Sequence, residues 1–198
     1  MWQNGAGQIN ARMEGTMKKR WFKGKRKIVT LIGMPTARKT SIGRLVAEEL
    51  GCAFADIDDR IIDHFRVSGV QEVVDRLSAK DFALAEESIA ILTAMTLPSP
   101  GIIATGGSVA CCKKAMKYLK KISRVVRLHA SLKKITERIA KHPNRGITFK
   151  KGETLPDLYK RRKPLYKKWA DETLSSNGNR AKVARKLKKK LISQGFVS

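Results

Sequence analysis

Two hydrophobic textures alternate along the chain: short continuous apolar runs, and longer stretches with a helical period. The run KIVTLIG, 27–33, is apolar, partly β-branched and ends on glycine, as a strand buried on both faces of a parallel sheet would. SIGRLVAEELG follows, with Ile42, Leu45, Val46 and Leu50 on one helical stripe and Gly51 placed as a C-cap. CAFADID predicts a second strand. Helical patterns then cover about 59–65, 71–77 and 80–97, the last stopped by the PSPG segment. GIIATGG predicts a third strand, 113–120 a helix, RVVRLHA a fourth strand and LKKITERIA another helix. Strands separated by helices of this length imply right-handed crossovers and helices on both sheet faces. The expected fold class is therefore α/β, a three-layer doubly wound parallel sheet of about five strands.

The remaining stretches complete that outline. HPNRGITFKKGETLP, 142–156, has two prolines, two glycines and no helical period, which predicts a long loop in the place of a lid. TLPDLYKRRKPLYKKWA reads as largely helical despite Pro164, ETLSS as a short fifth strand, and 180–192 as a basic terminal helix. Residues 1–27 show no apolar periodicity and read as a disordered basic extension, with Met17 an alternative start, ahead of one domain spanning 28–196.

Charge changes this picture little. The formal net charge is +25, of which the first 27 residues carry +7 and the last 19 another +7. Such arms attract phosphate non-specifically, but no nucleic-acid-binding module accompanies them, so nucleic acid is not expected as a partner. No apolar run is long enough to span a membrane and the N-terminus lacks the apolar core of a secretory signal. Cys52, Cys111 and Cys112, with His64, His129 and His142, have no zinc-ligand spacing. The expectation is a soluble, cytoplasmic, reduced protein, and a monomer.

The chemistry concentrates at Gly33–Thr40, GMPTARKT, between the first strand and first helix. A phosphate cradle needs glycine flexibility, a lysine that reaches the β and γ phosphates, and a Ser/Thr hydroxyl for magnesium. Gly33, Lys39 and Thr40 meet that spacing, while Thr36 and Arg38 stand where the pattern carries glycine. Taken alone, the segment fits either a phosphate loop or an ordinary strand-to-helix turn. Asp56 and Asp58 lie at the edge of the second strand, where α/β folds place ligands, although acids are also common in surface turns.

The stretch GMPTARKTSIGRLVAEELGCAFADID resembles the opening of the shikimate kinase family over its whole length. ATGGSV, 104–109, resembles the family's glycine-rich third strand end, with Ser108 in place of a third glycine; RRKPLYKKWADETL, 161–174, resembles the segment that presents a substrate-binding arginine. The resemblance implies a P-loop kinase with ATP as co-substrate and Mg²⁺ as cofactor, phosphorylating the 3-hydroxyl of shikimate. It assigns ATP to Gly33, Thr36, Ala37, Arg38, Lys39, Thr40, Ser41 and Arg138, and magnesium to Thr40 and Asp56. Shikimate goes to Asp58, Gly106, Gly107 and Arg162, and catalysis to Asp58 and Lys39.

Two departures stand beside these matches. The family's Phe-Arg-x-x-Glu is Phe82-Ala83-Leu84-Ala85-Glu86 here, so one substrate arginine is replaced by Ala83, with Arg76 or Lys80 as candidates to reach in. The lid reads His142-Pro143-Asn144-Arg145, so Arg145 serves as lid arginine by register shift or the lid has none. The alternatives to an active shikimate kinase are a catalytically weak or inactive relative of the same fold, and a P-loop kinase of another small molecule.

Overall fold

A computed structural model of the chain describes Phe22 and residues 26–141 and 146–197. Arg145 and the rest of the segment 142–145 lie outside the described residues, as does most of the basic extension. The chain runs β1 (Ile28–Ile32), α1 (Lys39–Leu50), β2 (Ala53–Asp56), α2 (Ile57–Phe65), α3 (Val70–Arg76) and α4 (Ala79–Thr96). It continues through β3 (Gly101–Ala104), a 3₁₀ turn at Val109–Cys111, α5 (Lys113–Ile122), β4 (Arg124–His129) and α6 (Leu132–Ala140). The last elements are α7 (Leu155–Trp169), β5 (Glu172–Ser175) and α8 (Arg180–Ser193).

The five strands form one sheet in the order β2-β3-β1-β4-β5, every pair parallel. β1 sits at its centre and all five of its side chains are buried, which is why its sequence is a continuous apolar run rather than an alternation. Its residues divide between the two faces: Ile28 and Ile32 enter a core with α2, α4, α5 and α7, while Val29 and Leu31 meet α1 and α8 on the other side. Phe22, from the segment read as an extension, joins that second core against Phe196, ring centroids 5.3 Å apart. Arg26 donates to the carbonyls of Ala94 and Leu97 at the end of α4. The ordered fold thus takes contacts from residues that carry no apolar period of their own.

The register sets the site. Leu31 and Asp56 are both level with Ala104, so the segments leaving β1, β2 and β3 emerge side by side at the carboxyl edge. Thr105 stitches two of them together, its N–H and hydroxyl both donating to the Leu31 carbonyl. None of the helices among the described residues is long and apolar enough to cross a membrane.

Candidate active site

The loop after β1 takes the shape its sequence made costly. Gly33 has φ 151° and a Cβ there would lie 2.4 Å from the Leu128 carbonyl oxygen, so glycine is obligatory. Thr36 and Arg38 stand at φ 60° and 68°, the left-handed region that suits glycine and costs other residues on the order of 1 kcal/mol or more. Thr36 is buried and its hydroxyl has no hydrogen-bond partner among the described residues. Lys39, also buried, donates from Nζ to the carbonyls of Gly33 and Met34, 3.0 Å each. The Thr36 carbonyl accepts from Arg138 Nη1 at 3.0 Å, and Arg138 Nη2 reaches the Ser176 carbonyl at 2.7 Å.

Asp56 ends β2 and caps α2, one carboxylate oxygen accepting from the Asp58 N–H at 2.8 Å. Its other oxygen, Oδ2, is buried without a hydrogen-bond partner among the described residues. Burial raises its pKa, and the neighbouring Thr40 hydroxyl acts in the opposite direction. A buried acceptor in need of a cation, beside a threonine hydroxyl, fits a hard divalent ion. Among the described residues no group of three or more His, Cys, Asp or Glu side chains stands together as a metal site.

The Gly-Gly turn is shaped by what approaches it. A Cβ on Gly107 would lie 2.7 Å from the ring of Pro35 in the phosphate loop, so the two loops touch. A Cβ on Gly106 would lie 2.4 Å from Glu86 Oε1 and 2.8 Å from Asp58 Oδ1. Glycine at both positions lets two carboxylates and the phosphate loop converge on one backbone segment. Helix α7 holds that segment from below, Tyr166 Oη donating to the Gly107 carbonyl at 2.6 Å and Trp169 Nε1 to Ala110 at 3.0 Å. One turn before Tyr166, Arg162 is buried and donates through Nη2 to the carbonyl and hydroxyl oxygens of Thr148 in the lid segment, at 3.0 and 2.7 Å. Its Nε has no partner among the described residues. The start of this helix is secured by a capping box between Thr154 and Asp157.

Glu86 is the site residue the sequence assignment omitted. It is 1% exposed on α4, on the face that also buries Phe82, Ile89 and Ala90. A lone acid within an apolar helical stripe was the available signal. Ser108 Oγ donates to its Oε1 at 2.8 Å. Burial, reinforced by the nearby Asp58 charge, pushes its pKa up to about 7 against the pull of Ser108 and Arg162. Neither candidate replacement for the arginine missing at Ala83 turns inward: Arg76 pairs with Glu72 on its own helix, and both Arg76 and Lys80 are exposed.

Glu86 makes stability pH-dependent in a definite direction. The unfolded side chain releases its proton near 4.5 and the folded one near 7, so between these values the native state keeps a proton that the unfolded chain has lost. Stability falls as pH rises through that window, by about 3 kcal/mol for this group at the usual 1.36 kcal/mol per pKa unit. Glu86→Gln cannot ionise and is expected to lose much less stability between pH 5 and pH 7.5 in urea titrations. Identical pH slopes for the two proteins would contradict the assignment.

Part of this set lines one open cleft of about 1100 Å³. Arg38, Lys39, Thr40, Ser41, Asp56, Asp58 and Gly107 line it, with Arg138, Asn177 and Arg180 at one end and Val70 and Gly146 at the other. Ala37 is fully buried under the loop and outside the lining, while Arg162 and Glu86 lie behind Thr148 and Gly106.

The comparisons with known proteins converge on one family. The family model described as shikimate kinase matches residues 35–192. The shikimate kinase of Thermodesulfovibrio yellowstonii is 34% identical over 154 residues, 77% of this chain and 87% of that protein. The Pseudomonas aeruginosa shikimate kinase is 34% identical over 149 residues, 74% of this chain and 85% of that protein. Among solved structures, shikimate kinase from Acinetobacter baumannii in complex with shikimate superposes with a TM-score of 0.76 at 25% identity, covering 86% of this chain and 95% of that one. With the family model spanning four-fifths of the chain and a parallel five-stranded sheet of the same kind beneath it, this chain belongs to the shikimate kinase family.

Proposed function

We propose that this protein is an active shikimate kinase, transferring the γ-phosphoryl group of ATP to the 3-hydroxyl of shikimate. The observation that carries the reading is the contact of the Gly106-Gly107 turn with Pro35 on one side and with the Asp58 and Glu86 carboxylates on the other. This approach supports reading the turn as the wall of an acceptor pocket next to a phosphate loop, as an in-line displacement requires. In that reaction the hydroxyl oxygen bonds to the γ phosphorus, the bond to the β–γ bridging oxygen breaks, ADP departs, and Asp58 orients the hydroxyl and takes its proton. Lys39 exchanges its loop carbonyls for the β and γ phosphates, neutralising charge as it develops. Thr40 and Asp56 Oδ2, which has no hydrogen-bond partner among the described residues, would hold magnesium, which supplies further charge neutralisation when bound with the triphosphate. Gly106 and Gly107 would receive the ring of the acceptor, and Arg162 its carboxylate.

A weak or inactive kinase is the second reading, favoured by the left-handed Thr36 and Arg38. The proposed setting is the cytoplasm, which the free thiols of Cys52, Cys111 and Cys112 suit, and the proposed state is a monomer. A coupled assay for ADP with ATP, magnesium and shikimate at millimolar concentrations tests the main reading, with the phosphorylated product identified by mass spectrometry. Product dependent on both substrates is expected. ATP binding without product would transfer support to the weak-kinase reading or to a kinase of another small molecule.

A further inference from the structure

Arg38 sits at the last loop position before Lys39, where the phosphate-loop pattern carries glycine. The backbone there keeps the conformation a glycine would adopt, φ 68° and ψ 29°, so the side chain is an addition to the loop and not a change of its path. It does not cap α1: no side-chain cap bond is formed at that helix start. Instead Nη1 donates 2.9 Å across the cleft's end to the Gly178 carbonyl, 140 residues away in the sequence.

The second replaced glycine, Thr36, is tied to the same turn from the other side. Its carbonyl accepts from Arg138 Nη1 while Arg138 Nη2 holds the Ser176 carbonyl. Both departures of this loop from the glycine pattern are thus bridged by a guanidinium to Ser176–Gly178. That turn is itself anchored: Asn177 Oδ1 accepts from the Ser131 N–H at 2.9 Å, and Asn179 caps α8 by accepting from the N–H groups of Ala181 and Lys182. Arg38, Arg138, Asn177 and Arg180 line the cleft at the end beyond Lys39 and Thr40, opposite Asp58 and Gly107. If the triphosphate lies on Lys39, the nucleoside must extend toward this end. The Arg38 charge also lowers the Arg138 pKa, after the larger effect of burial, so the two guanidinium groups are close enough to feel each other's charge.

We propose that Arg38 is a nucleotide-positioning residue of this chain: by tying the phosphate loop to the Ser176–Gly178 turn, it makes the grip on the nucleoside depend on the grip on the phosphates. The inference rests on the kinase reading, and its test separates the two. A simpler role, a surface arginine making one exposed hydrogen bond, predicts little effect on any ligand.

The measurement is titration calorimetry of the full chain at fixed magnesium with two probes, ATP and inorganic tripolyphosphate. Arg38→Met keeps the backbone strain and the aliphatic stem but removes the donors. It is expected to weaken ATP by about tenfold, the scale of one hydrogen bond from a charged group, with tripolyphosphate changed far less. Arg38→Lys keeps a donor and a charge and should recover part of the ATP affinity. Arg38→Gly relieves the backbone, yet should still bind ATP more weakly than the wild type because the tie is gone. Equal weakening of both probes in Arg38→Met would overturn the inference by making Arg38 a plain phosphate ligand. Tighter ATP binding by Arg38→Gly, or an unchanged Arg38→Met, would overturn it as well. If Arg38→Met fails to fold, the Lys and Gly variants carry the same comparison. A wild-type protein that binds tripolyphosphate and ATP equally well removes the inference alone; one that binds neither removes the kinase reading with it.

Discussion

Asp58→Asn is expected to lower kcat by about 10² to 10⁴-fold, the range of a positioned general base, with the dissociation constant for ATP nearly unchanged. The reasons are geometric. Asp58 stands in the first turn of α2, where its own N–H is held by the carboxylate of Asp56, so the backbone does not depend on the Asp58 side chain. Asparagine preserves size and can still accept one hydrogen bond, which leaves the pocket shape intact. What it loses is the negative charge and the capacity to take the proton of the attacking hydroxyl. ATP binding should be spared because asparagine keeps the size of the side chain and leaves the approach of Pro35 in the phosphate loop to Gly107 unchanged. Steady-state kinetics with both substrates varied, combined with ATP calorimetry, checks the split. A variant that kept most of the wild-type kcat, or lost ATP affinity in parallel, would remove Asp58 from the role assigned to it.

Glu86 adds a second readout. Its carboxyl shares the Gly106 backbone with Asp58, and burial pushes its pKa up to about 7, so it is placed to accept a proton in place of Asp58. Residual turnover in Asp58→Asn should then rise with pH as Glu86 ionises, at a pH below the wild-type value of about 7 because the Asp58 charge that helps to raise it is gone.

The fold was legible because its instructions are local. β1 needs a run buried on both faces and has one; α6 covers LKKITERIA, the segment read as helical; and β5 forms although its alternation is short. Pro164 was tolerated as read, since α7 is anchored by its capping box and by Tyr166 and Trp169 on the far side of the proline. Phe22 was illegible because its partner, Phe196, lies at the other end of the chain and neither residue belongs to a periodic segment. The same limit applies inside the site. That Thr36 and Arg38 would occupy glycine-like backbone was readable from their place in the loop, whereas the Gly178 carbonyl that receives Arg38 was not. Likewise Ala83 announces a missing arginine, but only the packing of α4 against the turn that follows β3 shows that the Glu86 left behind is held by Ser108, the residue that replaced a family glycine. Contacts between distant segments depend on register, and register is settled by the whole sheet.

Arg162→Met should raise the KM for shikimate by a factor on the order of 10² to 10³, the cost of removing one partner of a buried charged contact, with kcat changed less. With alanine at position 83 and both Arg76 and Lys80 turned to solvent, Arg162 is, among the described residues, a buried guanidinium placed beside Glu86 and the lid segment to meet a carboxylate. Before substrate arrives, its Nη2 is occupied by Thr148, and a carboxylate must displace that lid contact to form a two-pronged pair. Arg162→Lys should recover little, because an ammonium cannot reproduce the planar fork. Removing the cation also strips Glu86 of an attraction that opposes its desolvation, so the variant's Glu86 should hold its proton to higher pH. The sharpest measurement pairs each enzyme with shikimate and with an analogue whose carboxylate is replaced by hydroxymethyl. Wild-type enzyme should prefer shikimate strongly in kcat/KM, and Arg162→Met should accept the two almost equally, since discrimination between them is the difference in what Arg162 gains from each. Retained discrimination in Arg162→Met, with the variant's melting temperature showing it folded, would mean that another group reads the carboxylate and that the lost arginine at Ala83 has been replaced from elsewhere.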